Sequence, residues 1–441
     1  MLGLVGSAAV MAAPSRGAHP FVIEGSGDSR VIQFTQGEIA FADQGPIPKS
    51  GWSERNVPAI WLSDEARAKQ KNVLSAWLRV RFDRADIGGP PVAIYTENNR
   101  ERLTVFLNGV ELFRNYTDNR SQTMGWNRPY ILPLPQKLLR DTNNELVLKV
   151  VSHRQFSLGF GTVKIGSQNI LGRLYSHQYF WRISGVAAAN YAMLFLAGAV
   201  FLMWLARPKE HQLLWLCATG IAWFVRDFHF FAEEVPFYPF LFQQLSYYSL
   251  FFAVAFSLCF CAVFLNLKHR RQIIAVMLGI GIAISLFRMF VEQSNRTDLV
   301  TALLTLAMAM IFVAIMFVHW MRSKSAETLI LLITVTATTF SGIHDVGRSP
   351  HIGWWEGIGF HIQPFTGFLL FCVFLLSLGR RFIQALGTVE GMNLILEDRV
   401  KTATAALERS ELARQEMAIE HAVGMERERL MREMHDGIGS N

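Results

Sequence analysis

At 441 residues the chain is too long for one compact core, so two or more parts are expected. Hydrophobic residues make up 51% of it, and they gather after about residue 180 in runs of membrane-spanning length, which argues against a wholly soluble protein. The net charge of +7 does not point to nucleic acid, because the basic residues sit in short clusters between apolar runs, as membrane topology requires.

In chain order, residues 1–17 read as a signal-peptide-like leader, an apolar stretch followed by the small residues Ala9, Ala12 and Ala13, without a basic start. Residues 18–178 read as an extracytoplasmic β-sandwich. AWLRVRFD (76–83) alternates apolar and polar residues as a half-buried strand does. LTVFLNGVELF (103–113) places two short strands around Asn108-Gly109, a strong hairpin signal. The stretches 145–153 and 160–167 continue the pattern, and short strands at this spacing point to an antiparallel sandwich. Cys217, Cys259, Cys261 and Cys372 all lie in apolar runs, which leaves the first 180 residues no disulfide framework and the chain no zinc-type spacing.

Residues 183–380 read as transmembrane helices, with apolar spans at about 183–206, 213–231, 243–265, 272–291, 299–321, 328–346 and 362–379. Basic residues in the connecting segments set the orientation. Arg207, Lys209, Lys268, Arg270, Arg271, Arg322, Lys324, Arg380 and Arg381 fall on one side, nine against Arg296 and Arg348 on the other. The nine mark the cytoplasm, which puts the β domain outside, the C-terminus inside and the span count at seven. GIGIAIS (279–285) lies inside a span and is helix-packing sequence, not a phosphate-cradling loop.

From Arg381 the chain reads as one long helix. Val389, Leu396, Val400, Ala403 and Leu407 follow the spacing of a two-helix seam over 381–425, and a second stripe runs Leu412, Ile419, Val423, Leu430, Met434 and Ile438. The step between the stripes is a register break. The segment 426–441 carries His435 beside Asp436. His435 lies about 100° further round the helix than Met434, at the edge of the seam. A carboxylate beside an imidazole takes a proton as the ring attacks an electrophile, and Arg427, Arg429 and Arg432 neutralise phosphate oxygens. These parts suit phosphoryl transfer to histidine.

The string ERERLMREMHDGIGS (426–440) resembles the phosphoacceptor segment of the nitrate-sensor-like and desaturase-regulator-like bacterial sensor histidine kinases. Glu426, Arg427, Arg429, Arg432, Glu433, His435 and Asp436 match that pattern, with Met434 replacing Leu. The resemblance implies that His435 is phosphorylated from ATP and that Asp436 assists as general base. Ser440 stands where many members have a Gln that supports phosphatase activity. Such kinases hold ATP and magnesium in a separate C-terminal domain, so this chain is expected to hold no cofactor or metal and not to autophosphorylate alone. WLRVRFD, FLNGVELF, WNRPYILPLP and LYSHQYFWRI are similar to the landmarks of bacterial seven-transmembrane receptors with diverse intracellular signalling modules, whose outer domain resembles carbohydrate-binding jelly rolls.

The expected architecture is a multidomain inner-membrane protein: an all-β jelly-roll sandwich, a seven-helix bundle and a cytoplasmic coiled coil. Trp52, Trp61, Trp77, Trp126 and Tyr130, with Asn127 and Arg128, are candidates to hold a small extracytoplasmic ligand such as a carbohydrate. Arg226, Asp227, Arg288, His344 and Asp345 fall near the outer ends of their spans, where ionisable groups face the bundle and pair. The expected partners are a second copy joined through the C-terminal helix, a response regulator and membrane lipids, with no nucleic acid. The competing reading is a non-catalytic seven-transmembrane receptor that signals through a coiled-coil partner.

Overall fold

The protein is represented by a computed structural model that describes residues 21–25, 27–42, 45–59, 68–69, 74–99, 102–116, 125–152, 158–234, 239–291, 295–348 and 359–438. Two compact units divide the chain, Met1–Leu375 and Leu376–Asn441.

The first unit opens with eleven strands among the described residues: β1 (Phe21–Glu24), β2 (Val31–Phe34), β3 (Gln36–Phe41), β4 (Ser53–Asn56), β5 (Leu74–Phe82), β6 (Val92–Thr96), β7 (Arg102–Leu107), β8 (Val110–Arg114), β9 (Tyr130–Pro133), β10 (Asn144–Ser152) and β11 (Val163–Ser167). They form a five-stranded sheet in the order β1-β2-β11-β6-β9 and a six-stranded sheet in the order β4-β3-β5-β10-β7-β8. Every pairing is antiparallel. The alternation in β5 decides which face is buried. Ala76, Leu78, Val80 and Phe82 join Leu146, Leu148 and Val150 of β10 in one core with Ile32, Phe34, Ile94 and Ile165 of the other sheet. The other face of β5 carries Arg79 and Arg81, paired with Glu38 and Glu145 at 2.5 to 3.7 Å, and Trp52 lies 4.1 Å from the Arg79 guanidinium. The hairpin between β7 and β8 turns at Asn108 and Gly109, with φ of 50° and 86°, the left-handed pair that an Asn-Gly turn demands.

Sheet gives way to helix earlier than the strand pattern suggested. β11 ends at Ser167 and α1 (Gln168–Tyr179) begins at once, where the sequence led us to expect sheet as far as residue 178. Ile170, Leu171, Leu174 and Tyr175 recur at helical spacing, and they cover Val31, Ala93 and Tyr95 on the outer face of the five-stranded sheet. A single π-turn, Phe180–Ser184, joins α1 to α2 (Gly185–Ala206). A central strand of the β domain thus runs into a membrane-length helix without a loop.

The helices that follow are α3 (His211–Phe231), α4 (Pro239–Phe264), α5 (Arg270–Phe290), α6 (Asn295–Ser323), α7 (Ala326–Gly347) and α8 (Gln363–Ile438). Among the described residues, six helical stretches are long and apolar enough to cross a membrane: Gln168–Ala206, Gln244–Phe264, Arg270–Phe290, Leu299–Ser323, Ala326–Gly347 and Gln363–His435. Among the described helices α3 lies outside that set, and it carries Arg226, Asp227 and His229 in its C-terminal half. It packs between α2 and α4. Gly220 allows the approach, since a Cβ there would lie 2.7 Å from the Phe371 ring of α8 and 2.8 Å from Cβ of Ala197 on α2.

The second unit is the remaining length of α8. Its apolar stripe (Val389, Leu396, Val400, Leu407, Leu412, Ile419, Val423, Leu430 and Met434) is exposed in the single chain.

Candidate functional site

The connection between β8 and β9 ends in Gly125-Trp126-Asn127-Arg128-Pro129, closed by Arg128 N–H donating to the Gly125 carbonyl at 3.2 Å. This loop is inserted into the end of the helical bundle. Asn127 is 4% exposed, and its Nδ2 donates to the carbonyls of both Arg182 and Phe230, each at 3.0 Å. A short amide thus ties the loop to the π-turn and to the end of α3 together. Arg128 donates to Tyr179 Oη at 3.1 Å and to the Phe231 carbonyl at 3.4 Å, and it pairs with Glu233 at 2.8 Å. Trp126 stacks on His229 with ring centroids 5.5 Å apart and meets His361 edge-on at 5.8 Å. Tyr130 stays within the β domain, where its hydroxyl accepts from Asn115 Nδ2 at 3.0 Å and its ring lies 5.4 Å from Phe113. Burial raises the Tyr130 pKa. Trp61 lies outside the described residues.

The π-turn supplies the second hold. Arg182 is 3% exposed, yet each part of its guanidinium is met: Glu97 at 2.9 Å, Asn98 Oδ1 at 2.7 Å and Gln178 Oε1 at 3.0 Å. A buried cation is tolerated only when it is paired and hydrogen-bonded in this way. Glu97 also accepts from Tyr95 Oη at 2.6 Å. Burial and the neighbouring Glu97 carboxylate drive the Tyr95 pKa up. Gly161 supports the turn, since a Cβ there would run into the Glu97 carbonyl.

The ionisable groups expected in the spans take different partners. Asp345 on α7 reaches the start of α8, where its carboxylate accepts from the backbone N–H of Ile362 at 3.1 Å and of Gln363 at 3.0 Å. A carboxylate at a helix N-terminus satisfies orphan donors and the helix dipole together. His344 Nδ1 lies 2.8 Å from Asp345 Oδ1, and His361 Nδ1 lies 3.5 Å from Oδ2. Arg226 is engaged by His229. The ring's Nδ1 donates to the Arg226 carbonyl at 2.6 Å and its Nε2 accepts from the guanidinium at 2.9 Å, with Ser246 Oγ 3.0 Å from Nδ1. Asp227 lies alongside Asn190 of α2. Arg288 donates to Gln244 at 3.2 Å and Thr301 at 2.9 Å, and stands 4.2 Å from the Tyr247 ring.

His435 is exposed on the helix of the second unit. Arg429 pairs with Glu433 at 3.1 Å and Arg432 with Glu428 at 3.5 Å, both one turn along the same helix. Asp436 belongs to that helix, and its side chain lies outside the described residues.

Several residues that build this arrangement are ones the sequence did not single out: Glu97, Asn98, Tyr179, Arg182, His229, His361 and Asn190. Arg182 and His229 each carried a signal, a polar group inside or at the mouth of an apolar run. The inserted loop touches the π-turn, the end of α3 and His361, which flanks the Asp345 carboxylate at the start of α8.

No curated protein matches the chain. Among solved structures it is similar to a β-glucuronidase from Ruminococcus gnavus, at 12% identity and a TM-score of 0.25 over 31% of this chain and 28% of that one. It is also similar to Faecalibacterium prausnitzii β-glucuronidase, at 15% identity and a TM-score of 0.22 over 29% of this chain and 22% of that one. A third likeness is to a β-D-mannosidase from Dictyoglomus thermophilum, at 14% identity and a TM-score of 0.22 over 31% and 22%. The chain spans less than a third of the length of each of these three. Residues 188–381 match the family model of 7TM diverse intracellular signalling, so the membrane part of the chain is similar to the seven-transmembrane receptor module of that family.

Proposed function

We propose that the chain is the sensing and phosphoacceptor part of a membrane histidine kinase. In this reading the β domain lies outside a bacterial inner membrane, seven spans cross it, and the helix bearing His435 is cytoplasmic. The observation that carries the sensing part is the pair of bonds from Asp345 to the Ile362 and Gln363 N–H groups, at 3.1 and 3.0 Å, beside the Trp126–His361 contact of 5.8 Å. A small carbohydrate-like ligand on the β domain shifts the inserted loop. Trp126, Asn127 and Arg128 pass that shift to the bundle, and Asp345 passes it to the first turn of α8. Trp126, Asn127 and Arg128 serve here as transmitters, because their polar atoms and rings are engaged by the bundle.

The string at 426–440 supports the output. Two copies join through the exposed stripe of α8, and His435 takes a phosphoryl group while Asp436 takes the ring proton. Arg429 and Arg432 exchange their helical glutamate partners for phosphate oxygens. ATP and magnesium are held by a separate catalytic domain, and a response-regulator aspartate receives the phosphate.

The test is phosphate incorporation by the protein in lipid vesicles, with its ATP-binding partner domain present. His435→Gln should abolish labelling. Labelling that survives in H435Q ends the assignment of His435. A wild-type protein that stays unlabelled, yet captures a helical partner through α8, would favour the non-catalytic receptor.

A further inference from the structure

The face of the six-stranded sheet that points away from the core carries two groups of cations. Arg79 and Arg81 are balanced, since each lies within 3.7 Å of both Glu38 and Glu145. The second group is not. Trp77, Lys149, Thr104 and Arg114 are successive cross-strand partners on β5, β10, β7 and β8, so they stand in one row. Arg102 lies two residues from Thr104 on the same face of β7. Lys149 is half-buried, with Nζ 4.7 Å from the centre of the Trp77 ring, and no carboxylate pairs with it among the described residues. The acid beside the row is Glu111, and Arg114 takes both of its oxygens, at 3.1 and 2.8 Å.

Donors exceed acceptors along this row. Thr104 Oγ1 and Tyr116 Oη share one hydrogen bond of 3.1 Å, which leaves a second hydroxyl hydrogen over. The N–H of Trp77, a side chain 1% exposed, has no acceptor among the described residues. The guanidinium carbons of Arg114 and Arg102 lie 5.2 and 5.6 Å from the centre of the Tyr116 ring. Burial and then the Arg114 and Arg102 charges lower the Lys149 pKa. Gathering like charges and unmatched donors is costly, and an oxyanion removes the cost. We propose that the Lys149–Arg114 row is an anion site, which takes a carboxylate- or phosphate-bearing sugar through charge-assisted hydrogen bonds to both residues. The sugar part rests on the proposed sensing of a carbohydrate-like ligand; the anion preference does not.

The site has a route to the junction. Asn115 follows Arg114, donates Nδ2 to Tyr130 Oη at 3.0 Å and accepts from the Leu103 N–H at 2.8 Å. Tyr130 opens β9 two residues after Arg128 of the inserted loop. An anion held by Arg114 therefore acts on the β8 end of a connection whose other end is gripped by the bundle.

Calorimetric titration of the full chain in lipid nanodiscs tests it, with glucuronate, glucose 6-phosphate, inorganic sulfate and neutral glucose as probes. At least one sugar anion should bind where glucose does not, and added salt should weaken the binding. Glucuronate and glucose 6-phosphate separate the carboxylate from the phosphate. Sulfate that binds as tightly as the sugar anions keeps the anion site and overturns its link to a sugar. Lys149→Met should weaken anion binding roughly tenfold or more, whereas Lys149→Arg should keep it within about threefold. Glu111→Gln frees the Arg114 fork and should tighten binding about two- to fivefold, a gain that misfolding does not imitate. Unchanged affinity in Lys149→Met overturns the proposal, as do anionic probes that all fail to bind or glucose that binds as tightly as they do. Should Lys149→Met fail to fold, Glu111→Gln decides alone: an affinity that does not rise there sinks the idea. Anion binding that leaves His435 labelling unmoved keeps the site and refutes the relay to α8 instead.

Discussion

Arg182 in the π-turn and Glu97 at the end of β6 form an ion pair of 2.9 Å, with side-chain exposures of 3% and 16%. The pair fastens the π-turn that leads into the membrane-length helix α2 to the β domain. Removing one member leaves the other charge without its counter-ion, which for a buried pair costs about 3–5 kcal/mol. Arg182→Met should therefore lower the melting temperature of the β domain and its junction strongly. Arg182→Met combined with Glu97→Gln should cost less than the sum of the two single changes. A double-mutant cycle in thermal unfolding measures this. Additive losses would show that the pair carries no coupling.

The Tyr95 hydroxyl adds a pH dependence to the same chain of contacts. It donates to Glu97 at 2.6 Å, and burial raises its pKa above the ordinary tyrosine value. The folded state then keeps a proton that the unfolded state releases above about pH 10. Stability from this group is fully present below about pH 10 and falls as pH rises further. Tyr95→Phe should flatten that alkaline loss, while Tyr130, also raised by burial, continues to contribute. Chemical denaturation midpoints between about pH 8 and pH 11 check the prediction.

Asn127 makes two hydrogen bonds with one nitrogen, to carbonyls belonging to the π-turn and to α3. Asn127→Leu keeps most of the volume and removes the donor, orphaning two buried carbonyls at roughly 1–3 kcal/mol each. The expected outcome is a lower melting temperature and a weaker response to the outer signal, with helix content retained. Hydrogen exchange at Phe230 to Ala232 should quicken in this variant. Unchanged exchange there would show that the loop is not what holds the end of α3.

Much of this could be read from the residues. The alternation of β5 and the Asn108-Gly109 turn are local rules, obeyed because one face of the sheet must be buried and the turn needs two left-handed residues. Of the seven apolar runs, six fall on helical stretches that are long and apolar enough, among the described residues, to cross a membrane, since helix length and lipid thickness are matched. The junction was not legible. Trp126 reads as a ligand-stacking aromatic, and its contacts with His229 of α3 and with His361, just before α8, join parts of the chain far apart in sequence. Arg182 stands at the mouth of an apolar run, and nothing in that run names Glu97 and Asn98, the distant β-domain groups that close on it. The helical spacing of Ile170, Leu171, Leu174 and Tyr175 was present in the sequence, but neighbouring strands overrode it in the reading.

Asp345 offers the sharpest test of how the bundle addresses α8. Its two carboxyl oxygens accept from the first backbone N–H groups of that helix, and His344 and His361 flank it at 2.8 and 3.5 Å. Replacing a capping carboxylate by alanine costs about 0.5–2 kcal/mol, most of it in the first turn of the capped helix. Asp345→Ala should fray Ile362 and Gln363 and uncouple His435 labelling from the outer signal, leaving its basal level in place. Asp345→Asn keeps one acceptor oxygen and should retain part of the coupling. Hydrogen exchange at residues 362–366 reads the fraying, and phosphate incorporation with and without the outer signal reads the coupling. Coupling that survives Asp345→Ala while the first turn frays would move the transmitting contact away from this cap and onto the α3 face of the bundle.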